Sequence, residues 1–258
     1  MKFAALFILA IAMTFSFAAI AADTKPVPAF FEMRTYRAAE GKFDDMLARF
    51  RNHTLKLFEK HGITNVGYWT PIEEKDGSKN TLVYLLAYPS AEQREVMWKA
   101  FISDPDWKAA AKASEVNGKL VAKVESIYLA PTAYSMFNVE SAATNRTFEL
   151  RTYTSPTGKL EALHQRFSGH TVELFKKHGM TNIVYMTPTR EKDGAGNKLI
   201  YLLAHQDKAA QAASFAAFRA DPIWIEAKAA SEKDGPLTEK ENGVLSLLMA
   251  PTDFSPLK

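Results

Sequence analysis

The chain has 258 residues, 24% of them charged, a formal net charge of +3 and no cysteine. The missing cysteine excludes disulfides and a cysteine-linked lipid anchor. The charge is spread without a basic block, so nothing points to nucleic acid.

Lys2 precedes an apolar run from Phe3 to Ile20 that ends in Ala19-Ile20-Ala21. A basic start, an apolar stretch and a small-x-small site spell an export signal, residues 1–21, cleaved after Ala21 or Ala22. The mature protein is then periplasmic or secreted. The competing reading is an uncleaved anchor, because the run approaches the ~20 residues that span a bilayer; its alanine richness, Thr14 and Ser16 favour cleavage. No later run is long enough to span a membrane. Cleavage leaves enough chain for two domains of ~100 to 120 residues.

Pro26 and Pro28 make Asp23 to Ala29 an extended lead-in. Phe31 to Arg37 reads as a strand. Phe43, Met46, Leu47, Phe50, Leu57 and Phe58 follow the 3.6 period of a helix over about Lys42 to His61, which Gly62 stops. Thr64 to Thr70 and Asn80 to Tyr88 form a hairpin around Lys75-Asp76-Gly77, and the second of these strands, apolar on both faces, calls for cover on both sides. A helix from Ser90 to Ile102 is restarted by Asp104-Pro105, an N-cap followed by proline at the first helical position. Lys123 to Ala130 is the fourth strand.

The same pattern then repeats. His53-Thr-Leu-Lys-Leu-Phe-Glu-Lys-His-Gly-Ile-Thr-Asn65 returns as His170-Thr-Val-Glu-Leu-Phe-Lys-Lys-His-Gly-Met-Thr-Asn182, an offset of 117 that holds from Phe31/Phe148 to Trp107/Trp224. It becomes 120 at Ala130/Ala250, after an insertion. A period this long marks a duplicated domain rather than a solenoid. The copies run from 31 to 134 and from 148 to 256, joined by a polar linker, 135–147. Each reads β-α-β-β-α-β, the ferredoxin-like arrangement. The predicted fold is α+β: two such repeats pack sheet to sheet as an intramolecular eight-stranded barrel with helices outside.

Phe-Glu-x-Arg-Thr-Tyr, the helix ending Lys-His-Gly, the strand Gly67-Tyr68-Trp69, Tyr-Leu-Leu-Ala and Asp-Pro-x-Trp together resemble the NIPSNAP domain, present twice. The resemblance implies a dimeric α/β barrel. It offers little chemistry, because the vesicle, mitochondrial and signalling roles linked to animal members carry no secure activity. Barrels of related folds include cofactor-free quinol monooxygenases and haem enzymes, an analogy of fold alone.

Candidate chemistry rests on a few residues. Glu32, Arg34 and Tyr36 alternate onto one strand face, as do Glu149, Arg151 and Tyr153. Such charges are either a buried structural pair or a pocket that binds an anionic or enol oxygen. His53 and His170 fall at the edge of the first helix's apolar stripe, half-buried, either bonded to the backbone or serving as a general base. The tentative catalytic set is therefore Glu32, Arg34 and His53 with Glu149, Arg151 and His170. Tyr36, Tyr68, Trp69, Tyr84, Tyr153, Tyr185 and Tyr201 are core residues or the lining of an apolar cavity. His61 and His178 suit helix C-termini. His164 and His205 occur only in the second repeat, which argues against a twofold role. Met186 for Trp69, Phe215 for Trp98 and Gln211 for Arg94 make the repeats inequivalent.

No metal-ligand spacing, nucleophile elbow or phosphate loop occurs in the sequence, so no metal is expected. The leading expectation is an exported monomeric pseudo-dimer, open to further assembly. It binds a small apolar or aromatic molecule between helices and sheet, with monooxygenase-like chemistry and no cofactor. The alternatives are a non-catalytic protein-interaction module and, behind it, haem held by His53 and His170.

Overall fold

The computed structural model describes residues 26–258, so the export signal expected over residues 1–21 lies outside the described residues. The first repeat comprises β1 (Phe30–Ala38), α1 (Phe43–Arg49), α2 (Leu55–Lys60), β2 (Thr64–Pro71), β3 (Thr81–Tyr88), α3 (Ala91–Ser103), α4 (Pro105–Ser114) and β4 (Val121–Pro131). The second comprises β5 (Thr147–Thr154), α5 (Leu160–Arg166), α6 (Val172–Lys177), β6 (Thr181–Pro188), β7 (Lys198–His205), α7 (Lys208–Ala220), α8 (Pro222–Ser231) and β8 (Val244–Pro251). Among the described residues no helix is long and apolar enough to cross a membrane.

All strand pairs are antiparallel, and their order β1-β3-β2-β8-β5-β7-β6-β4 closes a barrel. The sheets are thus sewn edge to edge as well as facing one another, through Trp69–Pro71 against Met249–Pro251 and Leu129–Pro131 against Met186–Pro188. Closure removes the exposed edges an isolated repeat would carry. The strand pleat separates two cores. Phe31, Met33, Trp69, Leu85, Phe148 and Met186 fill the barrel interior, whereas Tyr68, Tyr84 and Phe50 pack outside it under the helices, as Tyr185, Tyr201 and Phe167 do in the second repeat. Thr81–Tyr88 is buried throughout, the two-sided cover its sequence calls for.

Local signals account for the helix boundaries. The side chains of Ser90, Asp104, Asp207 and Asp221 accept backbone N–H bonds at their N-caps, with Pro105 and Pro222 in the first turn.

Two features depart from the expected pattern. The single helix over Lys42–His61 is broken in both repeats by a π-helical turn, Phe50–Thr54 and Phe167–Thr171. The linker is also more than a spacer. Phe137 and Val139 pack against the barrel core, Ser135 Oγ accepts the Tyr185 N–H at 3.0 Å and Asn138 donates its N–H to Ile183 O. The C-terminus does the same for the first repeat: Leu257 is buried in the barrel and Ser255 Oγ accepts the Tyr68 N–H at 2.9 Å. Each repeat is therefore capped by the segment that leaves the other.

Candidate functional site

The pleat of β1 turns Glu32, Arg34 and Tyr36 away from the barrel axis and under the helices, where the sequence places them together. Glu32 is fully buried. It accepts from Arg34, from Arg94 Nε and Nη2 at 2.8 and 3.0 Å, from Ser126 Oγ at 2.6 Å and from Tyr88 OH at 3.3 Å. Arg34 also donates to Tyr84 OH at 3.0 Å and Tyr36 OH at 3.2 Å, with its guanidinium 4.3 Å from the Trp98 ring. Burial pushes the Glu32 carboxyl up, but the Arg94 hydrogen bond, the Arg34 charge and Ser126 outweigh it, so the group stays ionised below its ordinary range.

The second repeat rebuilds this cluster with one cation fewer. Glu149 accepts from Arg151, Ser246 Oγ at 2.6 Å and Gln211 Nε2 at 3.2 Å, and pairs with His205 Nε2 at 3.0 Å. Burial raises its carboxyl, yet the His205 hydrogen bond and the Arg151 charge bring it down to about 2. Gln211 stands where Arg94 does, and His205 where Tyr88 does. Arg94 was not among the expected site residues; its signal was the exchange with Gln211 opposite a strand carboxylate.

Tyr68 and Tyr84 stack at 5.2 Å and 15°, and Tyr185 and Tyr201 at 5.0 Å and 19°. All four are fully buried, and burial holds their hydroxyls well above the ordinary value, so they keep their protons and act as neutral donors and acceptors. Trp69 points the other way, into the barrel against Phe148 at 5.3 Å. It cannot share a pocket with the tyrosines expected beside it.

His53 and His170 do not join these clusters. Both are exposed on their π turns rather than half-buried, and among the described residues neither makes a hydrogen bond or ion pair to the Glu–Arg–Tyr groups. The residue added by a π turn rotates the downstream side chains by about 100° relative to an unbroken helix, which carries these imidazoles off the apolar stripe. His53 lines a shallow depression of about 380 Å³ with Asp45, Arg49 and Ser114. His61 and His178 sit at their helix ends and bond the N-cap carboxylates Asp104 and Asp221 at 2.6 and 2.8 Å.

Another cleft opens beside the second repeat, between α5 and the turn after β4. It measures about 470 Å³ and is lined by Thr132, Tyr134, Glu161, His164, Gln165 and Ser168, with Ala133 and Thr187. Tyr134 OH lies 2.8 Å from His164 Nδ1. Burial lowers the half-buried His164, against a smaller opposing pull from Glu161, and favours neutral imidazole. Burial raises the Tyr134 hydroxyl, with Thr132 offsetting part of the rise; Thr132 Oγ1 is itself buried without a partner at hydrogen-bonding geometry.

In the first repeat the equivalent positions hold Leu47, Phe254, Arg51 and Asp253. There Arg51 clasps Asp253 through bonds of 2.6 and 2.7 Å and lies 5.4 Å from the Phe254 ring. The repeats therefore differ at this place as well. The signal was present in the sequence: a titratable residue, His164, replaces Leu47 on an apolar helix stripe.

A family model described as NIPSNAP matches residues 31–136 and 148–256. Among solved structures, a NIPSNAP domain protein from Burkholderia xenovorans is 28% identical; the alignment covers 41% of this chain and 96% of that one, with a TM-score of 0.35. A putative monooxygenase from Fusobacterium nucleatum is 11% identical over 87% of this chain and 92% of its own, TM-score 0.53. An anthrone oxidase-like protein is 13% identical over 89% and 93%, TM-score 0.54. The last two share the whole fold. No curated protein matches the chain.

Proposed function

This chain belongs to the NIPSNAP family, and from that premise we propose that it binds a small apolar or aromatic molecule between the helices and sheet of its second repeat. One observation carries the reading: the Tyr134–His164 cleft opens at the place where the first repeat sets Phe254 and the Arg51–Asp253 clasp. Its volume falls within the roughly 300–1,000 Å³ of small-molecule pockets. Binding as proposed draws on protein side chains alone.

Thermal shift and native mass spectrometry against a set of phenols and other small arenes test it. Ser168→Arg with Ala133→Asp rebuilds the clasp of the first repeat across the cleft mouth. We expect stabilisation of the wild type by at least one arene and its loss in the double variant. No response from the wild type, or an equal response from both, overturns the proposal.

The fold neighbours described as a putative monooxygenase and an anthrone oxidase-like protein support an oxygenase role for the bound molecule. His164 would take the proton-accepting role that sequence reasoning gives His53, receiving a bound phenol's hydroxyl proton as the ring itself gives up electrons to dioxygen, one oxygen atom entering the ring as a quinone carbonyl and the other leaving as water. Dioxygen uptake that needs both an arene and His164 is the expected result. We also propose export directed by residues 1–21. Leu9→Arg should then leave the protein in the cytoplasmic fraction at full precursor mass.

A further inference from the structure

We infer that the Tyr134–His164 pair is a reader of one neutral ligand oxygen, which makes the cleft selective for hydroxy- or oxo-arenes over both plain hydrocarbons and carboxylates. The inference rests on the binding site proposed above and names what that site recognises.

Tyr134 OH and His164 Nδ1 are 2.8 Å apart, and His164 Nε2 has no hydrogen-bond partner among the described residues. A hydroxyl can donate or accept, and a neutral imidazole carries one N–H and one bare nitrogen. When Tyr134 donates to Nδ1, Nε2 bears the proton and offers it to a carbonyl. When Nδ1–H donates to Tyr134, Nε2 is bare and accepts from a hydroxyl. One dyad thus serves either oxygen, because the tyrosine hydroxyl rotates to suit.

The lining decides the charge. Glu161 is its one acidic residue, and no lysine or arginine lines the cleft. An arene carboxylate would lose hydration, gain no cation and meet Glu161, which is unfavourable wherever water is partly excluded. Thr132, Gln165 and Ser168 add neutral hydrogen-bonding groups around the dyad. Nothing of the kind exists in the first repeat, where Leu47 and Phe254 take the two positions. The dyad is therefore a departure from the duplicated pattern rather than an inheritance from it.

Three probes of similar size separate the possibilities: phenol, toluene and benzoate, titrated at neutral pH into the labelled full chain and followed by amide chemical shifts. Phenol is expected to bind about tenfold more tightly than toluene, the order of one net hydrogen bond, and more tightly than benzoate. His164→Leu installs the first repeat's own residue, so folding is retained; it should abolish the preference for phenol over toluene. Tyr134→Phe should shrink the preference in the same direction. If toluene and phenol bind equally, if benzoate binds best, or if His164→Leu keeps the preference, the dyad reads no oxygen and this inference fails while the site stands. If none of the three binds, the site itself fails.

Discussion

The Trp69 ring lies over the backbone of Gly67 so closely that a β-carbon on that glycine would fall 2.2 Å from Cζ2. The two residues flank Tyr68 just past the bulge between Asn65 and Gly67 where the β2–β3 register shifts, and Trp69 is locked in the barrel core. In the second repeat the same positions are Val184 and Met186, both fully buried. A side chain lost at one position is matched by a ring gained at the other.

That exchange predicts coupling. Gly67→Val alone should destabilise by about 1–3 kcal/mol or more through overpacking. Adding Trp69→Met should return most of the loss, since it reproduces a pairing the other repeat already packs. Urea unfolding of the single and double variants gives the interaction energy, and additive losses would refute the compensation.

The buried carboxylates predict a difference between the repeats. Glu32→Leu leaves two guanidiniums, Arg34 and Arg94, without their shared buried partner, and Glu149→Leu leaves only Arg151. Breaking a buried pair from one side costs about 3–5 kcal/mol, so Glu149→Leu, which breaks one such pair, should fall within that range and Glu32→Leu, which breaks two, should exceed it. Equal losses in denaturant melts would mean that the second cation is carried elsewhere.

Acid should unfold the protein partly through Glu149. Its carboxyl sits at about 2 when folded, below the ordinary 4.5. A depressed folded value contributes stability above the unfolded value and loses it as pH falls from about 4.5 to 2. The contribution is on the order of 3 kcal/mol. Glu149→Gln should be less stable at neutral pH and lose less between pH 5 and 2 than the wild type. An unaltered acid slope would remove Glu149 from the account.

The C-terminal segment separates packing from surface charge. Leu257→Ala removes a buried side chain from the barrel core and should cost about 2–5 kcal/mol. Arg51→Ala breaks a solvent-exposed ion pair with Asp253 and a contact with the Phe254 ring and should cost about 1 kcal/mol. Thermal melts of the two variants check the ranking.

Much of the fold was legible because a duplication repeats its own signals: the offset, the alternation in Phe31–Tyr36 and the two-sided burial of Thr81–Tyr88 together require a covered double sheet. The candidate site was legible only in part. Glu32, Arg34 and Tyr36 meet as their spacing implies, because a strand's period of two survives in the fold. His53 does not, because periodicity assumes an unbroken helix and the π turn adds a residue that no side-chain pattern marks. Phe137 and Leu257 escape sequence reading for another reason: isolated apolar residues in polar segments have no period, and only three-dimensional proximity assigns them to a core. His164 carries little weight in the sequence because it lacks a copy, whereas divergence between copies is where a new role arises.

The reciprocal capping has a mechanical consequence. Since the linker closes the second repeat and the C-terminal segment closes the first, a protease cut at the exposed Thr144 would sever the polypeptide without freeing either half. The nicked pieces would stay clasped through β2–β8 and β4–β6, migrating as one particle until denaturant pulled both tails from their seats.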